Sequence, residues 1–178
     1  MIIGLSGKIG SGKTEVVKLL VAEGFIELNF GTKLKEAVSL VFDIPLEQLH
    51  TQTGKATLDE RWGTTPRFLL QRFGTEVCRT LHPHVWLYHL DKIIKNAHRT
   101  ENFVIGDVRF RNEFEFVIRR GGWMWRLERP NHMRIINEHE DHPSETEVDN
   151  LVHAYYINND GTLEELYQKV KFELRRIL

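Results

Sequence analysis

Gly7-Lys8-Ile9-Gly10-Ser11-Gly12-Lys13-Thr14 fits G-x-x-x-x-G-K-[ST], the pattern of a glycine-rich phosphate-binding loop. The glycines let the backbone wrap closely round a phosphate chain, with successive N–H groups pointing inward. Lys13 suits the β- and γ-phosphates of a nucleoside triphosphate, and the Thr14 hydroxyl suits Mg²⁺. The flanking residues give the motif its setting. Ile2-Ile3-Gly4-Leu5 is a short apolar run fit for a buried strand. Thr14 to Ala22 reads as a helix, with Val17, Leu20 and Val21 at helical spacing. A flexible Gly/Ser turn is the plain alternative, and the order strand, loop, helix disfavours it. ATP with Mg²⁺ is the expected ligand pair.

Composition sets the bounds. A chain of 178 residues is expected to form one domain with a core of its own. The net charge of −1 supplies no broad basic field for nucleic acid or an anionic membrane. Cys78 is the one cysteine, which rules out an internal disulfide and suits a reducing compartment. There is no apolar run long enough to span a bilayer, and the N-terminus leads straight into the first strand. The expectation is a soluble, cytoplasmic protein.

Further along, Gly24 reads as a helix stop and Phe25 to Leu28 as a second strand. Thr32 opens a helix in which Leu34, Val38, Val41 and Phe42 share one face, and Pro45 ends it. Residues 51–64 are polar and turn-rich, and a mobile loop is expected there. Thr65 as N-cap and Pro66 at the first helical position then start a helix running to Leu81. Leu69, Leu70, Phe73, Val77 and Leu81 fill one arc and should face the core. Arg67, Gln71, Gly74 and Cys78 fill a neighbouring arc. A forked cation and an amide one turn apart suit a nucleobase edge, and a glycine would admit a ring. A solvated face with an ordinary i,i+4 polar pair is the alternative. A further helix, roughly His84 to His98, carries Trp86 and Tyr88, each suited either to base stacking or to core packing.

Phe103 to Gly106 is an apolar run ending in Asp107. A carboxylate at the end of a buried strand suits Mg²⁺, directly or through water, although such an Asp also forms turns. Arg109 follows, and Arg111, Asn112 and Glu113 open a helix whose dipole alone would favour the acid. After Gly121-Gly122, Trp123 to Glu128 reads as a fourth strand. Residues 129–150 are polar and have the length of a lid. Arg126, Arg129 and Arg134 are candidate phosphate clamps. His132, His139 and His142 invite a metal reading, but no firm ligand framework joins them. Ser144 to Glu147 fits a capping box, as does Thr162 to Glu165. His153 to Ile157 reads as a fifth strand, Asn158 to Gly161 as a turn, and the last helix should bury Leu163, Leu166, Val170 and Leu174. Five strands separated by helices imply an α/β fold with a parallel sheet covered on both faces. Ligands of such sheets gather at the strand C-terminal ends. The glycine loop and Asp107 both fall there.

Six stretches carry a resemblance over nearly the whole chain: GLSGKIGSGKT; FGTKLKEAVSLVFDIPLEQL; TPRFLLQRFGTEVCRTLHPHVW; VIGDVRFRNEFE; and DHPSETEVDN followed by YYINNDGTLEEL. On these the chain resembles the deoxynucleoside monophosphate kinases of tailed phages. The pairing of R-F-L-L-Q-x-x-G-T-E with D-V-R-F-x-N-E is far more specific than the glycine loop. The resemblance implies a three-layer α/β/α P-loop kinase domain over residues 1–178, with sheet order 2-3-1-4-5. It also implies an acceptor-nucleotide region over about 31–98 and a lid over about 129–150. It gives Gly7, Lys8, Gly10, Ser11, Gly12, Lys13 and Thr14 to ATP and Mg²⁺, and Asp107, Arg109 and Glu113 to the catalytic site. Arg67, Gln71 and Trp86 match positions that hold the acceptor nucleotide, and Asn159 to Gly161 resembles a loop flanking adenine. The host cytoplasm is implied for a phage-encoded chain, and a homodimer is left open.

The implied reaction moves the γ-phosphoryl of ATP onto a nucleoside 5′-monophosphate. The acceptor phosphate has a second pKa of about 6 and is already nucleophilic near neutrality, so no general base is required. Lys13, Mg²⁺, Arg109 and Arg129 would answer the charge of the loosening phosphoryl group. Three rivals are weaker. A dephospho-coenzyme A kinase shares the opening G-x-I-G-S-G-K-[ST] but not the two specific motifs. A GTPase switch should carry N-K-x-D, which is absent. A nucleic-acid motor needs a basic track that the net charge does not supply.

Overall fold

Ile2, Ile3, Gly4, Leu5 and Ser6 are all buried, as a strand covered on both faces must be. In the computed structural model, which describes residues 1–130, 142–147, 151 and 155–178, these five form strand β1. The chain divides into two compact units, residues 1–29 with 97–178, and residues 30–96.

The first unit holds the sheet. With β1 stand β2 (Phe25–Leu28), β3 (Asn102–Ile105), β4 (Trp123–Glu128) and β5 (Tyr155–Asn158), all parallel in the order β2-β3-β1-β4-β5. The order agrees with the one expected. Because successive residues of a strand face opposite ways, Ile3 and Leu5 point to one side of the sheet. There they join Val16, Val17 and Leu20 of helix α1 (Lys13–Ala22) and Leu166, Val170 and Leu174 of the C-terminal helix α9 (Leu163–Ile177). Gly4 points to the other side, where a Cβ would lie 3.1 Å from Val117 of helix α7 (Arg111–Arg119). Burying one such aliphatic side chain contributes about 1.5–3 kcal/mol. These paired layers therefore hold the sheet. The capping box of α9 forms as expected. Glu165 N donates to Thr162 Oγ1 at 3.2 Å, and Thr162 N donates to the Glu165 carboxylate at 2.7 Å. Leu163 is a correction, since it lies exposed in the first turn. His153 and Ala154, expected in the fifth strand, fall outside the described residues.

The second unit is helical: α2 (Thr32–Phe42), α3 (Leu46–His50), α4 (Gln52–Ala56), α5 (Pro66–Gln71) and α6 (Val85–Asn96). Its core is Val38, Ile44 and Leu49 with Leu34, Phe42, Leu69, Leu70 and Phe73 packed round them. Val41, expected in that core, is exposed.

Two expectations fail in this unit. Residues 51–64 do not form a featureless loop. Thr51 caps α4 by accepting from Gly54 N at 2.9 Å. Asp59 accepts from Arg61 Nε at 3.0 Å and Nη2 at 2.7 Å. The Trp62 indole donates to Phe42 O at 2.9 Å and meets the Phe42 ring edge-on at 5.3 Å. Composition signals turn residues there, but side chain–backbone bonds give them a fixed structure. The helix from Pro66 also changes type, running from α5 into a π-helical stretch, Arg72–Arg79. Wider i→i+5 turns rotate the later residues off the α-helical face. Val77 is 46% exposed and Leu81 81% exposed, although α-helical spacing put both in the core.

Candidate nucleotide-binding site

The loop after β1 is built on glycine. Gly7, Gly10 and Gly12 have φ of +143°, +81° and +103°, a region costly for residues with a Cβ. A Cβ on Gly7 would overlap Leu127 O, and one on Gly12 would overlap the Asn159 amide nitrogen. The loop closes by Ser11 N donating to Lys8 O at 3.1 Å. Gly12 O then accepts from Glu15 N and Val16 N at 3.1 and 3.2 Å, starting α1. Gly12 offers no side-chain cap, so the first N–H groups of α1 present the donor cluster that suits an anion. Lys13 arches back over the loop, its ammonium donating to Gly7 O at 2.5 Å, Lys8 O at 2.9 Å and Ser11 Oγ at 3.5 Å. Thr14 is exposed in the first turn. A close backbone cradle, one lysine over it and an accessible hydroxyl fit a triphosphate with its metal ion.

The neighbouring strand ends converge on this loop. Val108 N donates to Leu5 O at 3.1 Å, and Gly106 N to Leu28 O at 3.3 Å. Gly106 lies against α1, where an added Cβ would stand 3.0 Å from Val17 Cγ2. Half-buried Asp107 and Arg109 follow directly. On the other side, Ser6 of β1 pairs in register with Arg126 of β4. Arg126 is buried and its Nε donates to Glu128 Oε1 at 3.1 Å. Arg129 is the exposed residue that follows. Arg134, His132 and His139 lie outside the described residues. Among the described residues no group of three or more His, Cys, Asp or Glu side chains is placed to hold a metal ion.

Two acids hold backbone N–H groups. Glu113 is 3% exposed, and its Oε2 accepts from Arg109 N at 2.8 Å and Phe110 N at 3.1 Å. It shapes the backbone that carries Arg109. Glu147 accepts from Arg111 N at 2.7 Å, so it serves α7 in place of its own helix. The short helix α8 (Pro143–Thr146) is capped instead by His142, which accepts from Ser144 N at 3.2 Å. The S-x-x-E pattern gave a local partner for Glu147, and nothing in the letters pointed to the distant one.

Asn159, expected beside adenine, is 7% exposed. Its amide donates to Ser11 O at 3.0 Å and its backbone N to Glu128 O at 2.7 Å. Gly161, two residues on, is exposed, and a Cβ there would overlap the Glu165 carboxylate.

In the helical unit, Arg67 Nη2 donates to Gln52 Oε1 at 2.9 Å, and Gln71 lies half-buried on the same helix. Trp86 is 8% exposed and its indole donates to Gly74 O at 3.1 Å, the core packing that its sequence left open beside base stacking. Burial pushes the Cys78 thiol up from its ordinary pKa.

A family model described as deoxynucleotide monophosphate kinase matches residues 46–170. The chain belongs to that family. A "Putative deoxynucleotide monophosphate kinase" of Acanthamoeba polyphaga mimivirus is 36% identical over 187 residues, covering 96% of this chain and 94% of the relative. Among solved structures, TT1252 from Thermus thermophilus superposes with a TM-score of 0.54 at 18% identity, covering 100% of this chain and 98% of that one. A dephospho-CoA kinase from Campylobacter jejuni gives 0.52 at 14% identity, covering 99% and 96%. At such identities the two structures speak for the fold alone. The family membership makes this P-loop protein a nucleotide kinase, and the dephospho-coenzyme A alternative fits it only loosely. Among the described residues no helix is long and apolar enough to cross a membrane.

Proposed function

We propose that the protein transfers the γ-phosphoryl group of ATP to the 5′-phosphate of a deoxynucleoside monophosphate, giving ADP and the deoxynucleoside diphosphate. The observation that carries this reading is the glycine cradle with Lys13 folded over it, in a chain of the deoxynucleotide monophosphate kinase family. An acceptor phosphate oxygen attacks the γ-phosphorus as the bond to the ADP oxygen breaks. The acceptor is a dianion near neutral pH, so no protein base need remove a proton. The backbone of Gly7, Lys8, Gly10, Ser11 and Gly12 would hold the phosphate chain, and Lys13 would follow the charge of the transferring group. Arg109 and Arg129 are the further cations. Thr14 and Asp107 would hold Mg²⁺, which supplies charge neutralisation at the phosphate oxygens. The turn from Asn159 to Gly161 would flank the base of ATP. Arg67 and Gln71 would read the acceptor within residues 30–96, and the whole chain would serve one kinase activity.

Incubation with Mg²⁺-ATP and each ribo- and deoxynucleoside monophosphate, with direct detection of diphosphate, tests the proposal. Diphosphate from at least one deoxynucleotide is expected. Its absence with every acceptor defeats the reading.

A further inference from the structure

The side chain of Asn159 reaches a residue 148 positions away and makes a buried hydrogen bond to Ser11 O. Three features make this contact part of the phosphate loop's architecture. The first is peptide geometry. In a trans peptide the C=O and the following N–H point in opposite directions, and no cis peptide bond occurs among the described residues. Holding Ser11 O toward Asn159 therefore turns the Gly12 N–H to the opposite side, and no acceptor for that N–H stands among the described residues. The second is space, since the Asn159 amide fills the position a Cβ of residue 12 would need. The third is anchorage. Asn159 N donates to Glu128 O at 2.7 Å, so the residue ties the ends of β4 and β5 to the loop after β1. A small uncharged amide does this well, because it can donate to one carbonyl without bringing a charge beside the phosphates.

We infer that Asn159 is a positioning residue for ATP, one that sets the orientation of the Ser11–Gly12 peptide and so acts on the phosphates. The turn that holds it would thus join the base end of the nucleotide to its phosphate end. This inference rests on the proposed use of ATP.

Titration calorimetry with Mg²⁺-ATP, alongside steady-state kinetics, tests it on the full chain. Asn159→Ala is expected to weaken ATP binding about tenfold and to raise KM for ATP in parallel. KM for the acceptor nucleotide should stay within about twofold. A folded variant with wild-type ATP affinity overturns the inference. A purely structural role would lower Tm and the active fraction and leave the KM for ATP unmoved. Asn159→Asp keeps the shape but exchanges the donor for a second acceptor facing Ser11 O, and its ATP affinity should fall at least as far as that of Asn159→Ala. An Asn159→Asp variant with wild-type ATP affinity also overturns it. If wild-type protein binds ATP but forms no diphosphate, the proposed reaction fails, and the calorimetric comparison still decides the role of Asn159.

Discussion

The phosphate loop and the helix from Pro66 use the same device. In each, a glycine leaves room for a distant side chain: Asn159 beside Gly12, and Leu34 beside Gly74. In each, a side-chain N–H grips a backbone carbonyl: the Asn159 amide on Ser11 O, and the Trp86 indole on Gly74 O. The two differ in what the gripped backbone faces. In the loop, positive φ angles at Gly7, Gly10 and Gly12 curl the backbone, and Lys13 folds over it. In the helix, the π-helical stretch has Gly74 buried and Val77 exposed. A side-chain grip on the backbone is thus a general tool, and local φ/ψ decides whether it serves a ligand or a core.

The sharpest break in that comparison comes from Lys13. Lys13→Ala removes the cation folded over the loop and should lower kcat about 100-fold, roughly 2.7 kcal/mol of barrier. Near-wild-type turnover by the folded variant would remove the loop from the chemistry. Next come Arg109→Ala and Glu113→Ala, each expected to lower kcat about tenfold, or 1.4 kcal/mol. For Glu113→Ala, part of the loss should appear as reduced stability in urea, since two part-buried N–H groups lose the Glu113 carboxylate. An equal stability loss with unaltered kcat would confine Glu113 to folding.

Gln71→Ala should shift the ranking of acceptor bases while leaving KM for ATP unchanged. A constant ranking would return that helix face to solvent chemistry. The smallest effect tests the helix type itself. Leu81→Ser should change stability by less than about 0.5 kcal/mol, as an exposed site does. A cost of about 2 kcal/mol or more would mean an α-helical register with Leu81 in the core.

These contrasts show why parts of the chain are legible and others not. The strand-loop-helix opening is local: the glycines, the lysine and the apolar run before them stand within fifteen residues. The sheet order follows from family resemblance, and the fourth strand is plain in Trp123 to Glu128. The partners that finish the site are distant in sequence, so no window contains them. Ser11 with Asn159 and Arg111 with Glu147 are of this kind. Trp62 docking on Phe42, with the Thr51 cap and the Asp59–Arg61 bonds, gives local structure to a polar, turn-rich stretch. The failure at Val77 and Leu81 has another source, since periodicity assumes 100° per residue and the π-helical stretch does not keep it.

Lys13 carries one more consequence. Its ammonium donates to Gly7 O, Lys8 O and Ser11 Oγ of the loop that contains it. The side chain thus ties the start of the loop to its end, and the loop's shape depends on a charge as well as on its glycines. Removing that charge should loosen the loop itself, a loss separate from any effect on kcat.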